Sequence, residues 1–464
     1  MRLSKILSRI GVGLLILVAA VLVVRAVLNF TEGRALARAF AALEAKGMPL
    51  AARDLAPPCP DEDNAGRLWK AFENIVKLPG RQPQVPGRPS PGERSGRSEA
   101  AEAGRLIGRA WLDFTAGKPL TPAEKAALKN VILKNATAFE LLAEMGDKPC
   151  FLYRDPTQSL SESRLPNAAM MIQATKLMFF SALISAEDGD VDGAISRLVT
   201  GLKFTPLVAR EGTHIAFLIS VADTNILSRC IGEVCRGRAL EDGDLVRLMS
   251  VQDPGPWRER LAAAFRGERV TLIETGGDLF KAGLGDIGSV FEGASFWQKL
   301  GLWIIRPLLK RDLRQALPVF DRLVSLAQVP YYQSRAELRA WEPQKHPWYA
   351  YLSKFFIGNS EAAFMKVAQI EAIMLANRAG LACRLYKSRM GQYPDNLEAL
   401  VPDFLAGIPV DPFTGKPFVY RREGEGFIVY SLGSNQKDDG GRSTYMITQL
   451  VMEKDDDWTW REEK

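Results

Sequence analysis

The alternation of apolar and polar positions divides the chain into one membrane-length run, a long series of helical patterns and a short C-terminal stretch of strand patterns. Ile10 to Val24 is apolar without a break, and Arg25 interrupts the run before Ala26, Val27 and Leu28. A helix over Ile10–Leu28 is about 28 Å long, close to the hydrocarbon thickness of a bilayer. Leu36, Phe40 and Leu43 recur at helical spacing, and so do Leu68, Trp69, Phe72 and Ile75. Pro57, Pro58 and Pro60 break the pattern between them. Residues 79–105 are rich in Pro, Gly, Ser and Arg and predict a mobile basic loop.

Helical patterns resume from Trp111 to Leu142, with Thr121 placed to cap a helix that starts at Pro122 and carries Glu124 in its first turn. Ala168–Ala186 and Ala194–Leu207 are helical patterns joined by Glu187–Gly193, and further ones follow near 214–236, 241–250 and 257–274. The 168–207 pair, with Ala194 at the close-packing point, resembles a tetratricopeptide hairpin. No strict period of 34 residues recurs, so the expectation is a solenoid-like helical body. Phe291–Leu309 is apolar, but Lys299 and Arg306 make it a poor span. It reads as a core helix, with a shallow membrane-surface contact as the alternative. His346–Gly358 is aromatic enough for a docking patch, with core packing as the default.

A long helix is predicted over Ser360–Met390, with Phe364, Val367, Ile370, Met374 and Leu381 near one face. Gly391 ends it and Pro394 follows. Phe418–Arg422 and Phe427–Ser431 predict two strands around the turn 423–426, and Tyr445–Met452 a third. The fold class expected is therefore mainly α. It comprises an N-terminal transmembrane helix (1–30), a helical region (31–150), a helical solenoid-like body (151–358) and a small C-terminal α+β domain (359–464).

The last of these segments carries a distinctive order of residues. Gly391, Tyr393 and Pro394 are followed by Leu397, Leu400, Val401 and Pro402. Then come Ile408, Pro409, Asp411, Pro412, Gly415, Pro417 and Tyr420, and finally Tyr430, Ser431, Leu432 and Gly433. In order and spacing this stretch resembles the globular half of the major pseudopilin of type II secretion systems. The resemblance covers about a fifth of the chain. It implies a link to type II secretion, a protein partner, and a calcium-binding loop after Tyr430–Gly433. On the matching positions the ligands would be the Leu432 carbonyl, Asn435, Asp438 or Asp439, and one or two of Asp455, Asp456 and Asp457 before Trp458. Calcium prefers six to eight oxygens in a flexible cage, which clustered acids on a Gly-rich loop can supply. Two departures stand against the family pattern. Asn435 replaces the usual Asp, and residues 442–454 separate the two acidic clusters widely. The N-terminus also departs, lacking the Gly-Phe cleavage site and the Glu five residues into the mature helix. A chain without them is not expected to be processed or to polymerise as a pilin.

Charge and composition add an address. Arg2, Lys5 and Arg9 precede the apolar run and set the N-terminus inside, which puts the bulk of the chain in the periplasm of a single-pass inner-membrane protein. A signal peptide cleaved near Val24-Arg25-Ala26 is the rival. Net charge is +6, but from Asp403 onward 12 acids face 8 bases. Five cysteines fit no zinc spacing, and their odd number argues against a complete disulfide framework. Asp188, Asp190, Asp192 and Gly193 partly match an EF-hand, but Val199 stands where the bidentate Glu belongs, so the turn reads as a helix cap.

Two histidines, His214 and His346, have no partner at ligand spacing. The GLGDIG stretch at 283–288 lacks the strand and Lys of a nucleotide loop. The arginines of 79–105 have no interleaved aromatics for stacking on bases, so no nucleic-acid partner is expected, and no small-molecule substrate is identified. The expectation is a noncatalytic, membrane-anchored envelope protein. An envelope hydrolase using paired carboxylates and a helical-repeat adaptor are the alternatives.

Overall fold

The computed structural model describes residues 2–55, 59–79, 91–160, 163, 166–281, 295–340, 347–358, 360–442 and 458–462. It is mainly helical, with a three-stranded antiparallel sheet near the C-terminus. Helix α1 is Arg2–Ala45, and its surface from Ile10 to Val24 is exposed throughout. The helices that follow are α2 (Ala65–Ile75), α3 (Pro91–Thr115), α4 (Pro122–Lys134) and α5 (Ala136–Gly146). Next come α6 (Ala168–Glu187), α7 (Val191–Phe204), α8 (His214–Cys235), α9 (Asp242–Ser250) and α10 (Trp257–Lys281). The last four are α11 (Phe296–Ala327), α12 (Tyr331–Ala340), α13 (Tyr351–Ile357) and α14 (Ser360–Met390).

Among the described residues three helices, α1, α6 and α8, are long and apolar enough to cross a membrane. Two-thirds of the apolar window of α6 and α8 is buried inside the protein, whereas none of the α1 window is. The first two are therefore core helices by packing, and only α1 leaves its apolar surface uncovered.

Local sequence explains where the helices start. Thr121 accepts from Glu124 N and the Glu124 carboxylate accepts from Thr121 N, closing a capping box over Pro122. Asn64, Asn167, Asp190 and Thr213 cap α2, α6, α7 and α8 through their side chains. One expectation is corrected here. The loop read over 79–105 is helical from Pro91 onward, because α3 buries Ala103, Ile107, Ala110 and Trp111 on one face. Residues 80–90 lie outside the described residues.

Helix α14 organises the molecule. Its first half, Ala363 to Met374, belongs to one hydrophobic cluster with the end of α1 and with α10, α11 and α12. Its second half, Ala376 to Leu385, belongs to another with α2–α9 and the sheet. The five apolar positions read along one face are all buried, but so are Ala368, Ala372, Ala379, Gly380 and Ala382 on the others. Small residues let neighbours approach α14 from every side, so it lacks the solvated face of an amphipathic helix.

The sheet has the order β1–β2–β3, with β1 at Val419–Glu423, β2 at Gly426–Ser431 and β3 at Trp458–Glu462. The first hairpin falls within a residue of the expected strands. The third strand of the sheet is β3, beyond the expected Tyr445–Met452, which lies outside the described residues. Central β2 is buried along its whole length. Phe427 and Val429 face the helical core, and the 433–441 loop covers Ile428 and Tyr430. Among the described residues every strand follows Val419.

The C-terminal segment is not an appendage. Phe413 is fully buried among Tyr331 and the α10–α12 cluster, and Tyr332 N donates to the Pro412 carbonyl. Burying that ring contributes about 1.5–3 kcal/mol. Trp460 of β3 lies on Gly380 of α14, where a side chain would collide with the indole. Residues from the sheet and its turns thus pack into the same cores as the helices.

Candidate functional site

The loop after β2 grows out of Asp411. This buried carboxylate accepts from Phe413 N at 2.8 Å, from the Ser431 hydroxyl at 3.0 Å and from Leu432 N at 2.9 Å. It ties the Asp-Pro-Phe-Thr-Gly turn to the end of β2, and Gly415 supports the turn at φ +72° against the Tyr332 ring. Sequence reading placed Asp411 only in a loop motif. Its three donors show it to be the residue that fixes where the candidate calcium loop begins.

The loop itself is held by its own hydrogen bonds. Asp438 Oδ1 accepts from the Tyr430 hydroxyl at 2.7 Å and from Gly440 N at 2.9 Å. Those two bonds, the hydroxyl first, hold its carboxyl below the usual range. Asn435 Oδ1 accepts from Lys437 N at 2.9 Å, and its amide donates to Asp439 Oδ2 at 2.7 Å. Arg421 of β1 reaches across to the Tyr430 hydroxyl at 3.2 Å and the Gly440 carbonyl at 2.8 Å. Gln436 has φ +60° and Gly433, Gly440 and Gly441 are also left-handed, which curls the loop back over the sheet. Gly441 sits so close to Ile428 that a side chain there would overlap it.

Of the seven residues expected at this site, Leu432, Asn435, Asp438 and Asp439 share one loop. Asp455, Asp456 and Asp457 lie outside the described residues. Among the described residues no three His, Cys, Asp or Glu side chains converge as a metal cage. The donors present are hard oxygens, which suits calcium in kind, but the carboxylates already accept from protein groups.

The EF-hand-like turn is a capping turn. Asp190 accepts from Gly193 N at 3.0 Å to start α7. Asp188 pairs with Lys129 at 2.6 Å and Asp192 with Arg247 at 2.7 Å, so the acids diverge toward different bases. His214 is packed between Phe217 and Phe265. His346 is outside the described residues.

Three carboxylates that the sequence did not single out staple the 150–167 segment. Glu211 accepts from Tyr153 N at 2.7 Å and Arg154 N at 3.1 Å, with the Arg154 guanidinium 3.4 Å away. Burial pushes its carboxyl up to about 7, against the two backbone donors and Arg154. Glu73 accepts from the Trp69 indole, the Tyr153 hydroxyl and Asn167 N. Glu274 accepts from Ala52 N and Leu160 N. Each accepts from at least one backbone N–H, and Glu73 also from an indole and a hydroxyl, which is structural use of a carboxylate. None of the three lines the cleft of about 670 Å³ formed by α4–α7, where Leu133, Phe139, Met178 and Arg197 lie.

The same segment carries a disulfide. Cys59 and Cys150 are bonded across 91 residues, with Cα atoms 6.1 Å apart. The other three cysteines, Cys230, Cys235 and Cys383, are free and buried, so the odd count leaves one bridge and no complete framework. Beside it, Asn64 accepts from Gly66 N and Leu152 N and donates to the Leu152 carbonyl, and Ala65 N donates to the Cys150 carbonyl. No family model, curated protein or solved structure matches the chain.

Proposed function

We propose that this chain is a noncatalytic, single-pass protein of the bacterial inner membrane. Its N-terminus is cytoplasmic and its bulk is periplasmic. The carrying observation is the uncovered apolar surface of α1 from Ile10 to Val24, on a molecule that buries its other span-length helices. The Cys59–Cys150 bond supports the orientation, since such bonds persist in oxidising compartments.

The C-terminal unit, in this reading, presents a pseudopilin-like surface to a protein partner, and the resemblance links it to type II secretion. What supports this is that the matching residues form one structural unit. Gly391 closes α14 at φ +81°, Asp411 orders the turn, and Tyr430–Gly433 leads into the loop over the sheet. Calcium belongs to the same proposal. The ion would draw on the Leu432 carbonyl, Asn435, Asp438, Asp439 and the acids at 455–457, in exchange for the internal bonds of the loop.

Affinity purification from detergent-solubilised envelopes tests the partner. Secretion-machine components that co-purify with the full chain, and are lost when the β1–β2 hairpin surface is altered, are expected. Their absence would remove the secretion link. The cleft between α4–α7 favours a second reading, a helical-repeat adaptor, in which substitutions at the exposed Leu133 release the partner instead.

A further inference from the structure

Helices α1 and α11 run parallel from the membrane outward. Arg25 meets Trp303, Asn29 meets Lys310, and Glu32 meets Arg311 and Arg314, so both residue numbers rise together. Arg25 sits near the outer end of the apolar run. Its guanidinium lies over the Trp303 ring, 3.3 Å from the centroid, and its Nε donates to the Trp303 carbonyl at 3.0 Å. That carbonyl is free because Pro307, four residues on, has no N–H to offer it. An arginine at the membrane edge is thereby satisfied by the helix beside it.

The consequence lies one step deeper. Counting back from Trp303 to Phe296 descends seven residues, about 10 Å along the helix, toward the apolar end of α1. Half of a hydrocarbon core is about 15 Å. Phe296 is 61% exposed and Trp297 75%, and Ile304 is exposed as well, although the sequence reads as a core helix here. We infer that Phe296–Ile305 of α11 is immersed in the outward-facing leaflet beside α1, with the lipid bilayer as its occupant. This rests on the reading of α1 as a membrane anchor.

The neighbouring surface agrees in chemistry. Arg306, Lys310, Arg311 and Arg314 follow at the level where anionic headgroups begin. Helix α13 docks on α11 at Asp312, which accepts from Leu352 N at 2.8 Å and Ser353 N at 3.2 Å. Asp312 lies about 13 Å outward of Trp303 by the same rise. Trp348, Tyr351 and Phe355 are exposed there, in the band where aromatic side chains favour the interface. Lys299 can carry its ammonium outward along its own stem. The body would then be held at a fixed height by two helices, with the Glu32 carboxylate bridging Arg311 and Arg314 just above the lipid.

The test uses the full chain in lipid nanodiscs with nitroxide labels at Trp297→Cys, Val18→Cys and Leu133→Cys, the last on the body. The inference expects the label at 297 to be several-fold less accessible to a water-soluble nickel chelate than the label at 133, and accessible to oxygen like the label at 18. A protected label at 18 with an exposed label at 297 overturns the immersion and leaves the anchor. Exposed labels at both positions overturn the anchor and the immersion together. Protection at 297 with spin–spin broadening between copies assigns the face to a second chain and overturns the lipid contact. Should Trp297→Cys fail to fold, quenching by brominated acyl chains reads the same contact. The unlabelled chain should be quenched more strongly than Trp297→Phe, and equal quenching contradicts immersion.

Discussion

Replacing Cys59 and Cys150 by serine should cost stability without abolishing the fold. The bond closes a loop of 91 residues. Chain entropy assigns such a closure about 4–5 kcal/mol, acting mainly on the unfolded state. Unfolding entropy of about 2.1 cal/mol/K per residue over a chain of 464 residues converts that to a fall of about 5 °C in Tm. The seam should survive, because Asn64 holds Leu152 from both sides and Ala65 N holds the Cys150 carbonyl. The assay has two parts. Thermal unfolding compares the double variant with the parent, each in detergent. Alkylation of denatured, unreduced protein taken from the membrane counts free thiols: three are expected, at Cys230, Cys235 and Cys383, and five after reduction. Five thiols before reduction, or a Tm indifferent to the double substitution, would refute both the bond and the compartment inferred from it.

Three further outcomes are expected. Burial raises the Glu268 carboxyl from 4.5 to about 7, so its stabilising contribution is complete below pH 4.5 and is lost as pH rises to 7. Glu268→Gln should therefore gain about 1–2 kcal/mol relative to the parent on going from pH 4 to pH 8, after allowance for partial exposure. Denaturant melts at the two pH values read it, and an equal difference at both contradicts the assignment. Gly380→Ala should push Trp460 from its seat on α14 and cost about 1–3 kcal/mol, with faster amide exchange in β3 than in β1. Unchanged exchange would show that β3 does not depend on that contact. Calcium at ten times its dissociation constant should stabilise the chain by about 1.4 kcal/mol, with the gain lost in Asp438→Asn. No heat on titration and no shift in Tm would leave the loop as a purely hydrogen-bonded lid.

The elements with strong periodicity were legible. Helix α14, the β1–β2 hairpin and the caps at Thr121 and Asp190 follow from local rules that tertiary contacts reinforce. The burial of α14 on all sides from Ala363 to Leu385 was not legible, because alanines and one glycine carry no apolar signal and reveal their role only when Trp460 and Phe364 pack beside them. The first part of helix α3 was hidden for the opposite reason: a Pro, Gly, Ser and Arg composition up to residue 105 predicts a loop, and burial of Ala103 and Ile107 outweighs it. Strand β3 follows an acidic run and is recognisable only through its pairing with β2. At the candidate site, the acids of the loop could be read from the sequence, but Asp411 and the Tyr430–Asp438 bond needed the fold. The Cys59–Cys150 pair was equally invisible, since linear spacing does not show which distant segments meet. Trp297 reads as core by composition, yet its side chain is exposed in the fold.

The most direct measurement of the account is the side of the membrane on which the body lies. Leu133→Cys places a thiol on an exposed position of the body, while Ser4→Cys places one before the apolar run. A membrane-impermeant maleimide added to intact spheroplasts should label position 133 at once and position 4 only after lysis. Labelling at position 4 before lysis, with position 133 protected until lysis, would contradict the account.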